Sequence, residues 1–157
     1  MEQSTTKMEV PEGFTTVTEG KATILYPKGN QVFYNPAQEV NRDLSIMMIK
    51  LFKAQREKEL KEGIYGKDKP LKNISSEAEN NNSNNVSTEQ PSSPGLKILE
   101  GLSGSGLCSI RYIKEIEGID HIIANDLDIK SVECIKTNLD FNGIPETLVR
   151  PNHSEAT

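Results

Sequence analysis

Between Glu100 and Gly106 the chain reads Glu-Gly-Leu-Ser-Gly-Ser-Gly, and Asp126 stands 20 residues past the last of these glycines. Glycines at such spacing let the backbone bend tightly and let a ligand approach it with no Cβ in the way. A carboxylate about that far downstream accepts hydrogen bonds from both hydroxyls of a ribose. Together they suit a nucleoside-containing cofactor held at the carboxyl ends of parallel strands. A turn that only packs a helix tightly on a strand also uses small residues, and that plainer reading stays open.

The flanking segments supply the elements that such a site needs. Ile98 and Leu99 form the apolar heart of a strand bounded by Gly95 and Gly101. Leu107, Ile110, Ile113 and Ile116 mark one face of a helix of about three turns, which Gly118 stops. Ile122, Ile123 and Ala124 make a second strand that ends at Asn125-Asp126. Asp128 caps a further helix whose Ile129, Val132, Ile135 and Leu139 are expected to face the sheet, with Asn142-Gly143 at its end. Thr147 to Arg150 is a third strand, closed by Pro151. The tail after it lies in the next strand-end loop, where Glu155 can accept from an adenine amino group; His153 has no visible partner. Alternating strands and helices predict an α/β fold with a parallel sheet.

The turn suits one cofactor better than another. Gly104-Ser105-Gly106 begins the dinucleotide pattern, but Ser109 occupies its third glycine position. Glu100 to Gly106, an acid closing a strand before a small-residue turn, resembles the first motif of S-adenosylmethionine (AdoMet) methyltransferases.

The rest of the chain divides by composition. Residues 1–13 read as a disordered N-terminus, and residues 14–66 as a β meander followed by a helix. The meander has strands near residues 15–18, 21–26 and 31–34, with turns at Glu19-Gly20 and Pro27 to Asn30. Asn35 caps the helix, Pro36 suits its first position, and Gln38 sits where a capping-box partner reaches back. Val40, Leu44, Met47, Met48, Leu51 and Phe52 are its expected buried face. Arg42, early in that helix, offers a rigid fork to a ligand carboxylate; an ion pair with Asp43 or Glu39 is the alternative. Residues 67–95 read as a disordered insertion: twelve of the 23 residues from 73 to 95 are Asn or Ser, too polar to offset their ordering entropy.

The net charge of −5 is unevenly spread. Residues 50–72 hold eight basic and four acidic side chains, a local +4 that includes Lys50, Lys53 and Arg56. Such a segment meets a polyanion, or is a solvated helix face. Cys108 and Cys134 show no metal-like spacing and read as free thiols in a reducing compartment, nucleus or cytoplasm. No apolar run reaches membrane-spanning length, and neither a targeting segment nor a protein partner is evident.

Two stretches together resemble the tRNA guanine-26 N2-dimethyltransferases. One runs from Glu19 through Phe33-Tyr-Asn-Pro36 to Asn41-Arg-Asp-Leu-Ser45. The other comprises Ile98 to Arg111, Ala124-Asn-Asp126 and Asn138-Leu-Asp-Phe-Asn142. The resemblance implies a class I AdoMet-dependent methyltransferase, Rossmann-like, of which residues 96–157 form the first half. It implies that Arg42 meets the AdoMet carboxylate end, that Ser103, Gly104 and Gly106 line the turn, that Asp126 holds the ribose, and that Glu155 and Ala156 border the adenine. The tRNA backbone then falls to the basic segment with Lys50, Lys53 and Arg56. Cys108 departs from the family's usual arginine. The family's catalytic Asp-Pro-Tyr/Phe-Gly motif follows the next strand, past Thr157, so no catalytic residue is expected here. The chain reads as an N-terminal fragment, inactive alone. A non-catalytic RNA- or nucleotide-binding fragment, or a methyltransferase with another substrate, is the alternative.

Overall fold

The computed structural model describes residues 9–29, 34–63 and 95–156. Strands β1 (Phe14–Glu19) and β2 (Ala22–Pro27) form an antiparallel hairpin. A single 3-10 turn at Pro36–Gln38 leads into α1 (Glu39–Lys61). There follow β3 (Leu96–Glu100), α2 (Leu107–Glu115), β4 (Ile119–Asp126), α3 (Ile129–Phe141) and β5 (Val149–His153). The last three strands make a parallel sheet in the order β3-β4-β5.

This is a mixed α/β fold with the parallel sheet that the alternating pattern predicts, and it is consistent with the Rossmann-like half that the resemblance implies. The helices α2 and α3 lie between the sheet and the hairpin, so the core has three layers. Ile122 and Val149 from the sheet, Ile110, Ile135 and Leu139 from the helices, and Ile24 from the hairpin are fully buried there. Leu99, on the opposite face of β3, is 71% exposed, so that face of the sheet is bare among the described residues.

Several expectations change. The third meander strand and the insertion lie largely or wholly outside the described residues, as do residues 1–8; Tyr34 is described and is not in a strand. The helix α1 turns its apolar stripe outward: Val40, Leu44, Met47, Met48, Leu51 and Phe52 are all more than half exposed. It packs on α2 through the opposite side, where Ile46 is buried, Ile49 is half-buried and Lys53 reaches Gly118. Periodicity shows that a helix has an apolar face, not which face its neighbour takes. Asn35 does cap, accepting from the Ala37 N–H at 2.9 Å, but Gln38 accepts from Asn41 instead of reaching back. Ile129, the first residue of α3, is half exposed. Strand β5 runs through Pro151, which pairs opposite Ala124, and does not stop there. It is the edge strand, where a missing N–H need not break the ladder. Among the described residues no helix is long and apolar enough to cross a membrane.

Candidate cofactor site

At the carboxyl ends of β3 and β4 a cavity of 340 Å³ is lined by Tyr34, Arg42, Glu100, Ser103, Gly104, Cys108 and Asp126, among others. That volume lies in the range of about 300–1,000 Å³ typical of ligand pockets. The wall is built by the turn after β3. Gly106 sits at φ +79° just before α2, and its N–H donates to the Ser103 carbonyl at 2.8 Å. A Cβ there stands 3.2 Å from Ile135 Cγ2, so both backbone and packing require glycine. We expect Gly106→Ala to lose about 1–2 kcal/mol of stability, from left-handed backbone strain alone. Urea unfolding reads it, and an unchanged midpoint contradicts this account of the turn.

Asp126 ends β4 with both oxygens directed to backbone. Oδ2 accepts from the Gly104 N–H at 2.8 Å, and Oδ1 from the Asp128 N–H at 3.0 Å. The carboxylate therefore clasps the glycine turn and holds a fixed position at the cavity rim. Ser103, also buried, receives support from both strands: its N–H donates to the Asn125 carbonyl and its hydroxyl to the Glu100 carbonyl.

Arg42 lines the same cavity, but its counter-ion is Glu19, not Asp43 or Glu39. Nε donates to Glu19 Oε1 at 2.7 Å, Nη2 to Glu19 Oε2 and to the Asn35 carbonyl, and the guanidinium lies 5.4 Å from the Tyr34 ring centre. Among the described residues its Nη1 makes no hydrogen bond. Glu19 itself is almost wholly buried and also accepts from Arg111 at 2.7 Å. Burial alone raises its carboxyl pKa, but the hydrogen bonds from Arg42 and Arg111 outweigh that and hold it below the ordinary value. Sequence reasoning missed Glu19, which looked like a turn residue, because its partner Arg111 lies on α2, 92 positions away.

Glu155 and Ala156 are not in this cavity. They line a second one of 360 Å³ with Leu99, Gly101, Ile123 and Asn125. The two cavities flank the turn at 100–102. Asn125 braces the tail, donating to the Gly101 and Ser154 carbonyls at 3.1 and 3.0 Å. His153 has a partner after all, its Nε2 lying 2.9 Å from the Leu127 carbonyl oxygen. Lys50 and Lys53 line a surface groove together with Glu57, Glu115 and Glu117, with Lys53 paired to Glu57. Arg56 is exposed on α1. None of the three reaches the cavity at the strand ends. Among the described residues no cluster of His, Cys, Asp or Glu could hold a metal ion.

Relatives with the same sequence pattern are known. The chain is 37% identical to the mitochondrial tRNA (guanine(26)-N(2))-dimethyltransferase of Saccharomyces cerevisiae, over 92% of this chain and 27% of that protein. It is 36% identical to the tRNA (guanine(26)-N(2))-dimethyltransferase of Mus musculus, over 90% of this chain and 24% of the other. It thus spans about a quarter of the length of these relatives. The fold matches Trm1 from Pyrococcus horikoshii, solved with S-adenosyl-L-methionine, at a TM-score of 0.58 and 22% identity, covering 90% of this chain and 31% of that one. Trm5b from Pyrococcus abyssi matches at a TM-score of 0.55. Residues 12–157 match the family model of the N2,N2-dimethylguanosine tRNA methyltransferases, and the chain belongs to that family.

Proposed function

We propose that this chain is the cofactor-binding portion of a methyltransferase that moves methyl groups from AdoMet to the exocyclic amine of guanosine 26 in tRNA. The observation that carries the reading is Asp126, fixed at the end of β4 by the Gly104 N–H beside an open glycine turn. The residues present fit AdoMet. A carboxylate at the rim suits a ribose diol, and Gly104 leaves open space where a Cβ would stand. Arg42 offers Nη1 to a ligand carboxylate while Glu19 holds the rest of the guanidinium still. When bound, AdoMet supplies a methyl group activated by its sulfonium.

The parts of the chain have distinct tasks in this reading. Ser103, Gly104 and Gly106 shape the turn; Glu155 and Ala156 border the adenine from the second cavity. Lys50, Lys53 and Arg56 on α1 meet tRNA phosphates, a sequence-independent and salt-sensitive contribution. Residues that activate the guanosine amine are not among those described. The free thiols of Cys108 and Cys134 suit a reducing compartment, nucleus or cytoplasm.

The test is AdoMet binding by calorimetry, paired with labelled-methyl transfer to unmodified tRNA by the full-length protein. Losing one hydrogen-bonding charge is worth about 1.5–3 kcal/mol, so Asp126→Ala should weaken AdoMet binding at least about tenfold. Wild-type affinity in that variant sinks the assignment.

A further inference from the structure

The outward face of α1 carries six large apolar side chains for which the cofactor reading has no use. Val40, Leu44, Met47, Met48, Leu51 and Phe52 are between 51% and 65% exposed. Soluble proteins rarely leave an apolar patch of more than about a few hundred Å² open to water. Six such side chains along about 18 Å of one helix make a patch of that order.

The spacing of the stripe says what shape fits it. Val40, Leu44, Met47 and Leu51 follow one another at intervals of four, three and four. That is the seam against which a second helix packs side by side, and Met48 and Phe52 widen it. None of the six is charged, so the stripe offers nothing to a phosphate. Beside it the Ser45 hydroxyl donates to the Asn41 carbonyl at 2.9 Å, and Asn41 Nδ2 donates to Gln38. These polar neighbours are satisfied within α1 and lose little when water is excluded. Lys50 and Lys53 lie elsewhere, in the groove they share with Glu115 and Glu117, and a helix on the stripe leaves them open.

We infer that in the full-length protein this stripe is the docking seam for an amphipathic helix of the same polypeptide, supplied by the part of the family's length that this chain does not span. The chain covers about a quarter of its relatives, so about three quarters of such a polypeptide stands outside the structure. A tethered segment reaches an effective concentration of about millimolar, well above that of a second copy free in solution, and wins the seam on that ground. The inference rests on family membership and not on the AdoMet reading. Its consequence for the site follows from where the seam begins. Val40 lies between Gln38 and Arg42, both of which line the cavity, as does the exposed Leu102. A helix seated from Val40 onward borders the cavity mouth. It also holds α1 from the side opposite Ile46 and Ile49, which pack inward.

The experiment places p-benzoylphenylalanine at position 47 of the full-length protein, irradiates it and maps the crosslinked peptides. The expected product has the mass of one polypeptide and joins position 47 to a peptide outside residues 1–157. Leu44→Glu combined with Leu51→Glu should abolish that crosslink and lower the melting temperature of the full-length protein by about 5 °C or more. A crosslinked species of twice the mass assigns the seam to a second copy, and one formed only to added tRNA assigns it to RNA; either overturns the inference. So does a crosslink confined to residues 1–157, no crosslink at all, or an unchanged melting temperature in the double variant, as expected of a stripe that stays in water. AdoMet binding by the wild type is measured separately: its absence sinks the cofactor reading and leaves the seam, whereas a failed crosslink sinks the seam and leaves the cofactor reading.

Discussion

Arg111→Met is expected to destabilise the fold by about 3–5 kcal/mol, the usual cost of removing one partner from a buried ion pair. The Arg111 side chain is 4% exposed and touches three elements at once. Nη1 donates to Glu19 on β1 at 2.7 Å, Nη2 to Asp43 on α1 at 2.6 Å, and Nε to Glu115 on its own helix at 2.8 Å. Without it, three carboxylates converge around a space with only Arg42 left to balance Glu19. Methionine retains the packing volume, so the loss reports charge rather than a cavity. The control is Asp43→Ala: its carboxylate is half exposed, and such pairs are worth about 0–1 kcal/mol. Urea unfolding at pH 7 separates the two; equal effects would show that the network is a surface one.

The same network sets an acid limit. The Glu19 carboxyl is held below its ordinary 4.5 by Arg42 and Arg111 despite its burial, and Glu115 is lowered chiefly by Arg111. Both stabilise the fold fully above the unfolded-state value and lose that contribution as pH falls below about 4.5 through the depressed ones. In Arg111→Met the acid limb should therefore be shallower than in the wild type.

The contrast between these residues and the sheet shows what a sequence carries. The units β3-α2-β4 and α3 follow from local periods and from glycine, Asn and Asp at their ends, so the fold class was legible. The cavity wall was legible too, because Glu100 to Gly106 and Asp126 belong to one contiguous strand-turn-helix-strand unit. Glu19 and Arg111 lie 92 positions apart, and nothing near either one announces the other. For α1 the period was real, but the choice of face was made by Arg42 and Asp43, which turn inward to Glu19 and Arg111 and leave the apolar stripe outside. Pro151 misled for a related reason: its effect on a strand depends on whether that strand is an edge, a property of the whole sheet. Glu155 and Ala156 are adjacent to the turn in space, but Gly101 and Leu102 divide their cavity from the one that holds Asp126.

Asn138 joins the two kinds of residue. The sequence marks it only as part of a stretch shared with a family, whereas the structure gives it work at a fully buried position. Its Oδ1 accepts from the Leu25 N–H on β2 at 2.7 Å, and its Nδ2 donates to the Ser105 carbonyl in the glycine turn at 2.9 Å. One amide therefore ties the hairpin to the glycine turn from within α3. Asn138→Ala strands a backbone donor and a backbone acceptor, each costing about 1–3 kcal/mol when buried without a partner, so a loss of about 2–4 kcal/mol is expected. Because Ser105 is released, AdoMet affinity should fall as well, even though Asn138 does not line the cavity. Asn138→Asp keeps an acceptor for Leu25 but sets a carboxylate oxygen against the Ser105 carbonyl, and it should be the worse of the two. Unfolding and binding measured on both variants test the link: stability lost with ligand affinity intact would confine Asn138 to the core and leave the turn to hold itself.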